Sequence, residues 1–245
     1  GLLLIENLGD TGIITEQRQP IHERYMAAIE TLKAVHDCHW SGTVELLDGS
    51  HHSLFDFDRD AMMIEVDLLT QWYAPHRLGR ALSDQEQADL QTIWHNMIGQ
   101  LRTVEKSIVL RDYHSPNIIW MAQAEGANGT GLIDFQDALN GPSAYDVASL
   151  AQDARVDVSA ELETALVNHY CQLRAGFDEE SFRAAYAILS AQRATKILGI
   201  FVRLWQRDGK NAYLAHLPRI ESYLHRSLQH PSLRDYKNWV ETVLE

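Results

Sequence analysis

Apolar residues recur along this chain with two different periods. Ile21, Tyr25, Ala28, Ile29, Leu32 and Val35 fall three or four apart, which predicts one buried helical face. Thr11-Gly12 reads as a turn before it, and Pro20 suits the helix's first position. The helix is expected to end near His36-Asp37-Cys38-His39-Trp40. Residues 41–57 are polar and irregular, with a turn at Asp48-Gly49. Asp58 then caps a second helix carrying Met62, Met63, Val66, Leu69, Trp72 and Tyr73. Ser83-Asp84-Gln85-Glu86 is a capping box that opens a third, with Leu90, Ile93, Trp94, Met97, Ile98 and Leu101 facing a core.

The period changes at Ile108-Val109-Leu110. That run, Ile118-Ile119-Trp120 and Gly131-Leu132-Ile133 are too short for helices and read as strands. The last two flank a turn at residues 125–129 and form a hairpin-like pair. Beyond Asp134 the pattern is helical again, over roughly 143–154, 159–175, 179–206, 210–227 and 232–244. Gly176, Gly209 and Pro231 punctuate these segments, and no second set of strands is expected. The pattern predicts a mainly helical α+β protein with a small β element in its middle.

That β element carries the candidate chemistry. Asp112 and Asn117 lie five positions apart in the polar loop between two strand-like runs, and Asp134 ends the next run. Phosphoryl transfer needs one carboxylate to take the proton of an attacking hydroxyl. It also needs hard oxygen donors to hold Mg²⁺ on the phosphates. Asp112 is the candidate base, and Asn117 and Asp134 are the candidate metal ligands. Asp137 is a weaker candidate for an outer metal contact or for substrate. Arg111 could pair with an acid to hold the loop or face a phosphate, and His114 could bond substrate or the loop itself. Asp146 reads as a residue that fixes the loop by hydrogen bonds or caps its helix, rather than one that touches substrate. His36, Cys38 and His39 lack the spacing of a zinc finger and read as a helix terminus.

Composition narrows the class. Of 245 residues, Lys+Arg number 21 and Asp+Glu 34, a formal charge of −13 that disfavours nucleic acid and anionic membrane as partners. No apolar run approaches the roughly 20 residues of a membrane span. The 2 cysteines are too few for a disulfide framework and fit a reducing, cytoplasmic setting.

The motifs resemble those of the aminoglycoside phosphotransferase/choline kinase group, small-molecule kinases of protein-kinase-like fold. Leu110-Arg111-Asp112 through Asn117 resembles the group's H-x-D-x-x-x-x-N loop, with Leu where His is usual. Ile133-Asp134-Phe135-Gln136-Asp137-Ala138 resembles its D-F-G counterpart, and Gly141-Pro142 through Asp146 and Leu150 the segment that follows. Arg-Asp-Tyr and Asp-Phe-Gln-Asp-Ala are closer to bacterial kinases that phosphorylate N-acetylmuramate and N-acetylglucosamine at the anomeric hydroxyl.

The resemblance implies an ATP- and Mg²⁺-dependent phosphotransferase acting on a sugar or amino-alcohol hydroxyl. Residues 1–10 would then be an inter-lobe hinge, with backbone groups near Glu6 and Leu8 facing adenine, and 11–245 the C-terminal catalytic lobe. An N-terminal lobe bearing the phosphate-pairing Lys is not in this sequence and is expected to be missing from it. Trp72 and Tyr73 would stack on a sugar or pack a helix end, and Arg193 or Lys196 would touch substrate or serve as scaffold. Aminoglycoside- or choline-type transfer and a non-catalytic kinase-fold protein that binds nucleotide or a partner are the alternatives.

Overall fold

The computed structural model describes residues 6–38, 40, 43–122 and 129–245. Nine α-helices and six short strands are formed among them. Helix α1 spans His22–Asp37 and buries Tyr25, Ala28, Ile29 and Leu32, the face predicted from spacing. Pro20 is not its first residue. It lies before the helix in a bridge with Ile14. Thr11-Gly12 is likewise not a turn: Gly12 bridges Ile119, and the Trp120 amide donates to the Thr11 carbonyl at 2.6 Å. The expected hinge falls largely on residues 1–5, outside the described residues.

Residues 41–57 are more ordered than their polarity suggests. β1 (Thr43–Glu45) and β2 (His51–Ser53) pair as an antiparallel hairpin. Phe55 and Phe57 then bond Asn140 through the backbone, both at 2.8 Å. Three-residue strands reading Thr-Val-Glu and His-His-Ser hold one apolar residue between them, too few for an alternating pattern to announce them.

Helix α2 (Arg59–Leu68) is capped as predicted, the Asp58 side chain accepting from the Ala61 amide at 2.9 Å. It continues through a π-helical stretch, Leu69–Tyr73, into α3 (Ala74–Leu78). Helix α4 (Asp84–Gln100) opens with both bonds of the Ser83/Glu86 capping box. After the motif region come α5 (Ala144–Ala151), α6 (Ala160–Gln172), α7 (Glu179–Asp208), α8 (Leu217–Ser227) and α9 (Arg234–Val243). These match the predicted segments, except that the start of the fourth is 3₁₀-helical, Asn211–His216.

Helix α7 is the axis of the molecule. Its 30 residues are capped by Asp178 at one end and by left-handed Gly209 at the other. Ala187 through Thr195 are buried without a break, so this stretch is enclosed on all sides by α2, α5, the π-helical stretch and α8. Gly199 lets α2 approach: a methyl group there would overlap the Leu68 backbone carbonyl. Gly199→Ala is therefore expected to cost about 1–3 kcal/mol, because two backbones must separate. A urea titration of the variant against the parent measures this.

Four strands make two small antiparallel pairs. β3 (Lys106–Val109) pairs with β6 (Leu139–Pro142), and β4 (Ile118–Trp120) with β5 (Thr130–Leu132). The second pair is the predicted one, though most of its turn lies outside the described residues. The first is a correction, since no strand was expected after Asp134. Leu139-Asn140-Gly141-Pro142 has poor strand propensity and becomes a strand only because β3 and residues 55–57 bond it from both sides.

Candidate active site

The strand pairing brings the motifs together. The chain leaves β3, runs through residues 110–117 and enters β4. It leaves β5, runs through 133–138 and enters β6. Val109 faces Leu139 and Ile118 faces Leu132, so both loops cross between the same two strand pairs and lie side by side.

The side chains of Asn117 and Asp134 and the backbone of Asp112 meet where they touch. The Asn117 amide nitrogen donates to the Asp112 carbonyl at 3.0 Å and to Asp134 Oδ2 at 3.4 Å. The Ile133 amide donates to the Asn117 carbonyl at 3.1 Å and locks the second loop to the first. Asp112, Asp134 and Asp137 are exposed. The loops adopt demanding backbone: Arg111 has φ of 67° and Asp134 of 61°. The left-handed region is sterically costly for a residue such as Arg and must be held by its surroundings. The Asp112 amide donates to the Leu110 carbonyl at 2.8 Å, closing a tight turn around Arg111.

Two fully buried carboxylates hold the first loop. Asp146 Oδ2 accepts from the Leu110 amide at 2.6 Å, and Oδ1 from the Arg111 amide at 3.0 Å. Asp146 thus fixes the loop, the role read from its position. Asp153 holds the far end, accepting from the Ser115 amide at 2.8 Å and from the Arg155 amide at 2.8 Å. Sequence reasoning missed Asp153. The available signal was its spacing from Asp146, seven residues or two helical turns.

His114 is buried, and both its nitrogens are engaged. Nδ1 lies 2.8 Å from the Asp112 carbonyl, which can only accept, so Nδ1 carries the proton and Nε2 accepts from Arg155. Burial pushes this imidazole below the usual histidine range, consistent with the neutral form. His114 thereby orients the Asp112 carbonyl in a loop where Leu110 replaces the usual His.

Arg111 turns to an acid. Its Nη2 donates to Glu65 Oε1 at 2.9 Å, and Glu65 also accepts from Lys196 at 2.6 Å and Gln192 at 2.9 Å. Burial alone would raise the Glu65 carboxyl. The charge of Lys196, the bonds from Gln192 and Lys196, and the charge of Arg111 together hold it below the usual carboxylate range. Arg193 is 8% exposed, donates to the Arg111 carbonyl at 3.2 Å and stacks on Tyr145. Trp72 packs partly buried on the core, while Tyr73 is buried and donates to Glu221 at 2.7 Å. Tyr73 is therefore a packing residue. Leu8 lies over Gly131 in β5, three residues ahead of Asp134, and Glu6 is exposed beside it.

Glu65 gives a pH prediction. Its folded pKa is depressed, so the cluster stabilises above the unfolded value of about 4.3, and that stability is lost as pH falls through the folded pKa. Glu65→Gln leaves the part-buried Arg111 and Lys196 without their carboxylate and is expected to cost about 2 kcal/mol at pH 7. Urea midpoints of parent and variant should differ most at neutral pH and converge as pH falls through the depressed folded pKa of Glu65.

The donor set can be tested against a metal. Asn117 directs its nitrogen to Asp112 and Asp134, which leaves its Oδ1 as a free-facing acceptor beside the Asp134 carboxylate. Two hard oxygens suit Mg²⁺, which keeps several waters and phosphate oxygens in its shell. No cluster of three or more His, Cys, Asp or Glu of metal-binding geometry occurs among the described residues, so a zinc-type site has no counterpart there.

Residues 2–185 match the family model described as "Phosphotransferase enzyme family". The chain is 34% identical over 245 residues to an N-acetylmuramate/N-acetylglucosamine kinase of Caulobacter vibrioides, covering 98% of this chain and 66% of that protein. It is 31% identical over 235 residues to the kinase of the same name from Neisseria meningitidis, covering 92% of this chain and 66% of that protein. The chain thus spans just under two thirds of both relatives. Among solved structures, a choline/ethanolamine kinase family protein from Mesorhizobium loti superposes with a TM-score of 0.55 at 12% identity, over 89% of this chain and 65% of that one. At that identity the likeness speaks for the fold alone. It places the helices and small sheets described above in a kinase-like fold. No helix among the described residues is long and apolar enough to cross a membrane.

Proposed function

Given that this chain belongs to the phosphotransferase enzyme family, we propose that it transfers the γ-phosphoryl group of ATP to a hydroxyl of an amino sugar, with Mg²⁺. The observation that carries the reading is the junction of Asp112, Asn117 and Asp134 at the Asn117 amide, 3.0 and 3.4 Å from its two partners.

Phosphoryl transfer asks for positioning and charge stabilisation more than covalent help. Asp112 is exposed at the tip of a rigidly held loop, where an acceptor can approach. Its carboxylate takes the hydroxyl proton as the acceptor oxygen bonds to the γ-phosphorus, and the bond from that phosphorus to the ADP oxygen breaks. Asn117 Oδ1 and the Asp134 carboxylate would hold Mg²⁺, which when bound neutralises phosphate charge. Asp137, exposed in the same loop, would contact the outer metal shell or the acceptor. Backbone groups near Glu6 and Leu8 would meet adenine, a placement supported by the packing of Leu8 over the strand that leads to Asp134.

The acceptor class is argued from charge. Arg111 and Lys196 both donate to the carboxylate of Glu65, and Arg193 donates to the Arg111 carbonyl, all next to the Asp112 loop. That surplus of positive charge disfavours a polycationic acceptor and suits a neutral or anionic one. The names of the two relatives point the same way: N-acetylmuramate is anionic and N-acetylglucosamine neutral.

The test is ATP consumption by the full-length protein with N-acetylmuramate, N-acetylglucosamine, choline and an aminoglycoside, with Mg²⁺ and after chelation. Turnover is expected on the amino sugars and should fall to background when Mg²⁺ is removed. Turnover confined to choline or the aminoglycoside would overturn the acceptor assignment. No turnover on any acceptor would leave a nucleotide-binding protein without transfer.

A further inference from the structure

The last turn of α1 presents a histidine with no place in the chemistry so far. The His36 side chain is fully buried between α6 and α5. Its Nδ1 lies 2.7 Å from the Tyr170 hydroxyl, which in turn accepts from Arg174 Nη1 at 2.8 Å. Its Nε2 is buried, has no hydrogen-bond partner, and lies 3.8 Å from Asp146 Oδ2. Asp146 is the carboxylate that holds the Leu110 and Arg111 amides, one on each oxygen. A carboxylate has about four acceptor positions, so both oxygens have capacity for another donor.

We infer that His36 is a positioning residue for the transfer proposed above: it presents an N–H on Nε2 to Asp146 and so sets the carboxylate that shapes the Asp112 loop. The inference rests on the phosphotransferase reading only for its kinetic consequence. The alternative tautomer would put the Nε2 lone pair against a buried carboxylate, a repulsion in a medium that screens little. With the proton on Nε2, the neutral ring's Nδ1 can only accept, so the Tyr170 hydroxyl donates to it while accepting from Arg174. The Asp146 carboxylate holds Arg111 in its left-handed turn, one residue before the base. A third contact on Asp146 restricts its rotation, and with it the position of Asp112. At 3.8 Å the N–H is long for a hydrogen bond, and closure by about 1 Å would complete it.

The proposal is tested in three readouts. In ¹⁵N-histidine spectra of the unliganded protein, Nε2 of His36 is expected to be protonated, and an unprotonated Nε2 overturns the proposal. In His36→Phe, amide exchange at Leu110 and Arg111 should quicken at least about tenfold, while Ser115, held by Asp153, stays protected. With acceptor and ATP, kcat should fall about 10- to 100-fold and KM for ATP should hold within about threefold. His36→Gln can still aim an N–H at Asp146 and should restore most of the kcat and the amide protection. It also carries the comparison if the Phe variant does not fold. A Gln variant that folds but exchanges those amides as fast as the Phe variant overturns the assignment, as does unchanged kcat in His36→Phe. Absence of turnover in the parent protein would sink the phosphotransferase reading, while the spectra and exchange rates would still decide the role of His36.

Discussion

Asp112→Asn is expected to lower kcat about 10²- to 10⁴-fold while leaving the fold intact. The range is that of a positioned general base. The amide keeps the shape of the side chain but cannot take the acceptor proton as the phosphorus–oxygen bond forms. The Asp112 side chain is exposed, and the bonds that fix this residue run through its backbone. Its carbonyl accepts from Asn117 and His114, and its amide donates to Leu110. The thermal midpoint should therefore stay near that of the parent. Steady-state kinetics on the amino sugar the parent prefers, alongside a melting curve, separate the two effects. Unchanged turnover would remove Asp112 from the role of base.

Asp146→Ala should be the most damaging change to stability at this site. Asp146 is fully buried, and its two oxygens are the acceptors for the Leu110 and Arg111 amides. Alanine leaves two buried N–H groups without partners, each at roughly 1–3 kcal/mol. A total of about 4 kcal/mol is a large share of the 5–15 kcal/mol typical of a folded domain. In a chain of this size the melting midpoint should fall by roughly 8–16 °C. Turnover should fall at least about 100-fold at a temperature where the variant is still folded, because the turn at Arg111 loses its restraint. Asp146→Asn keeps one acceptor and should fall between the two. A variant that melts early but turns over at the parental rate would show that Asp146 serves stability alone.

The two substitutions act on different links of one chain of causes. Asp112 belongs to the proposed chemistry, and Asp146 to the packing that gives Asp112 its place. Glu65 adds a third link, since it fixes the Arg111 side chain while Asp146 fixes the Arg111 backbone. Residues 110–117 are thus held from α5, from α2 and, through Asp153, from the turn after α5.

Much of this was legible in the sequence. The helix starts were written in caps: Asp58 for α2, Ser83 with Glu86 for α4. The β4–β5 pair followed from short apolar runs, and the motif residues from their spacing. Asp112, Asn117 and Asp134 were readable because their residue types and intervals are what metal-assisted transfer requires. Strand β6 and the β1–β2 hairpin were not readable. The hairpin strands are three residues each and too short to show alternation, while Leu139-Asn140-Gly141-Pro142 has little strand propensity and its partner β3 lies some thirty residues back. Glu65 did not stand out from its helix in the sequence. Its neighbour Ile64 is 70% exposed, so an acid at that position looks solvated. Only the approach of α7, allowed by Gly199, surrounds it with Gln192 and Lys196.

Local patterning along the chain therefore established the helices and several of their caps, and it proposed the three motif residues. Capping, periodicity and loop spacing act over a few residues and leave their mark there. Folding decided everything that depends on distant segments meeting. It set Asp134 beside Asn117, put Asp146 and Asp153 beneath the loop, joined Arg111 to Glu65 and placed His36 behind Asp146. The physical reason is that a buried carboxylate or histidine is tolerated only where partners from other elements satisfy it. A sequence shows that such a residue is present, and the packing of α1, α2, α5 and α7 shows what it holds.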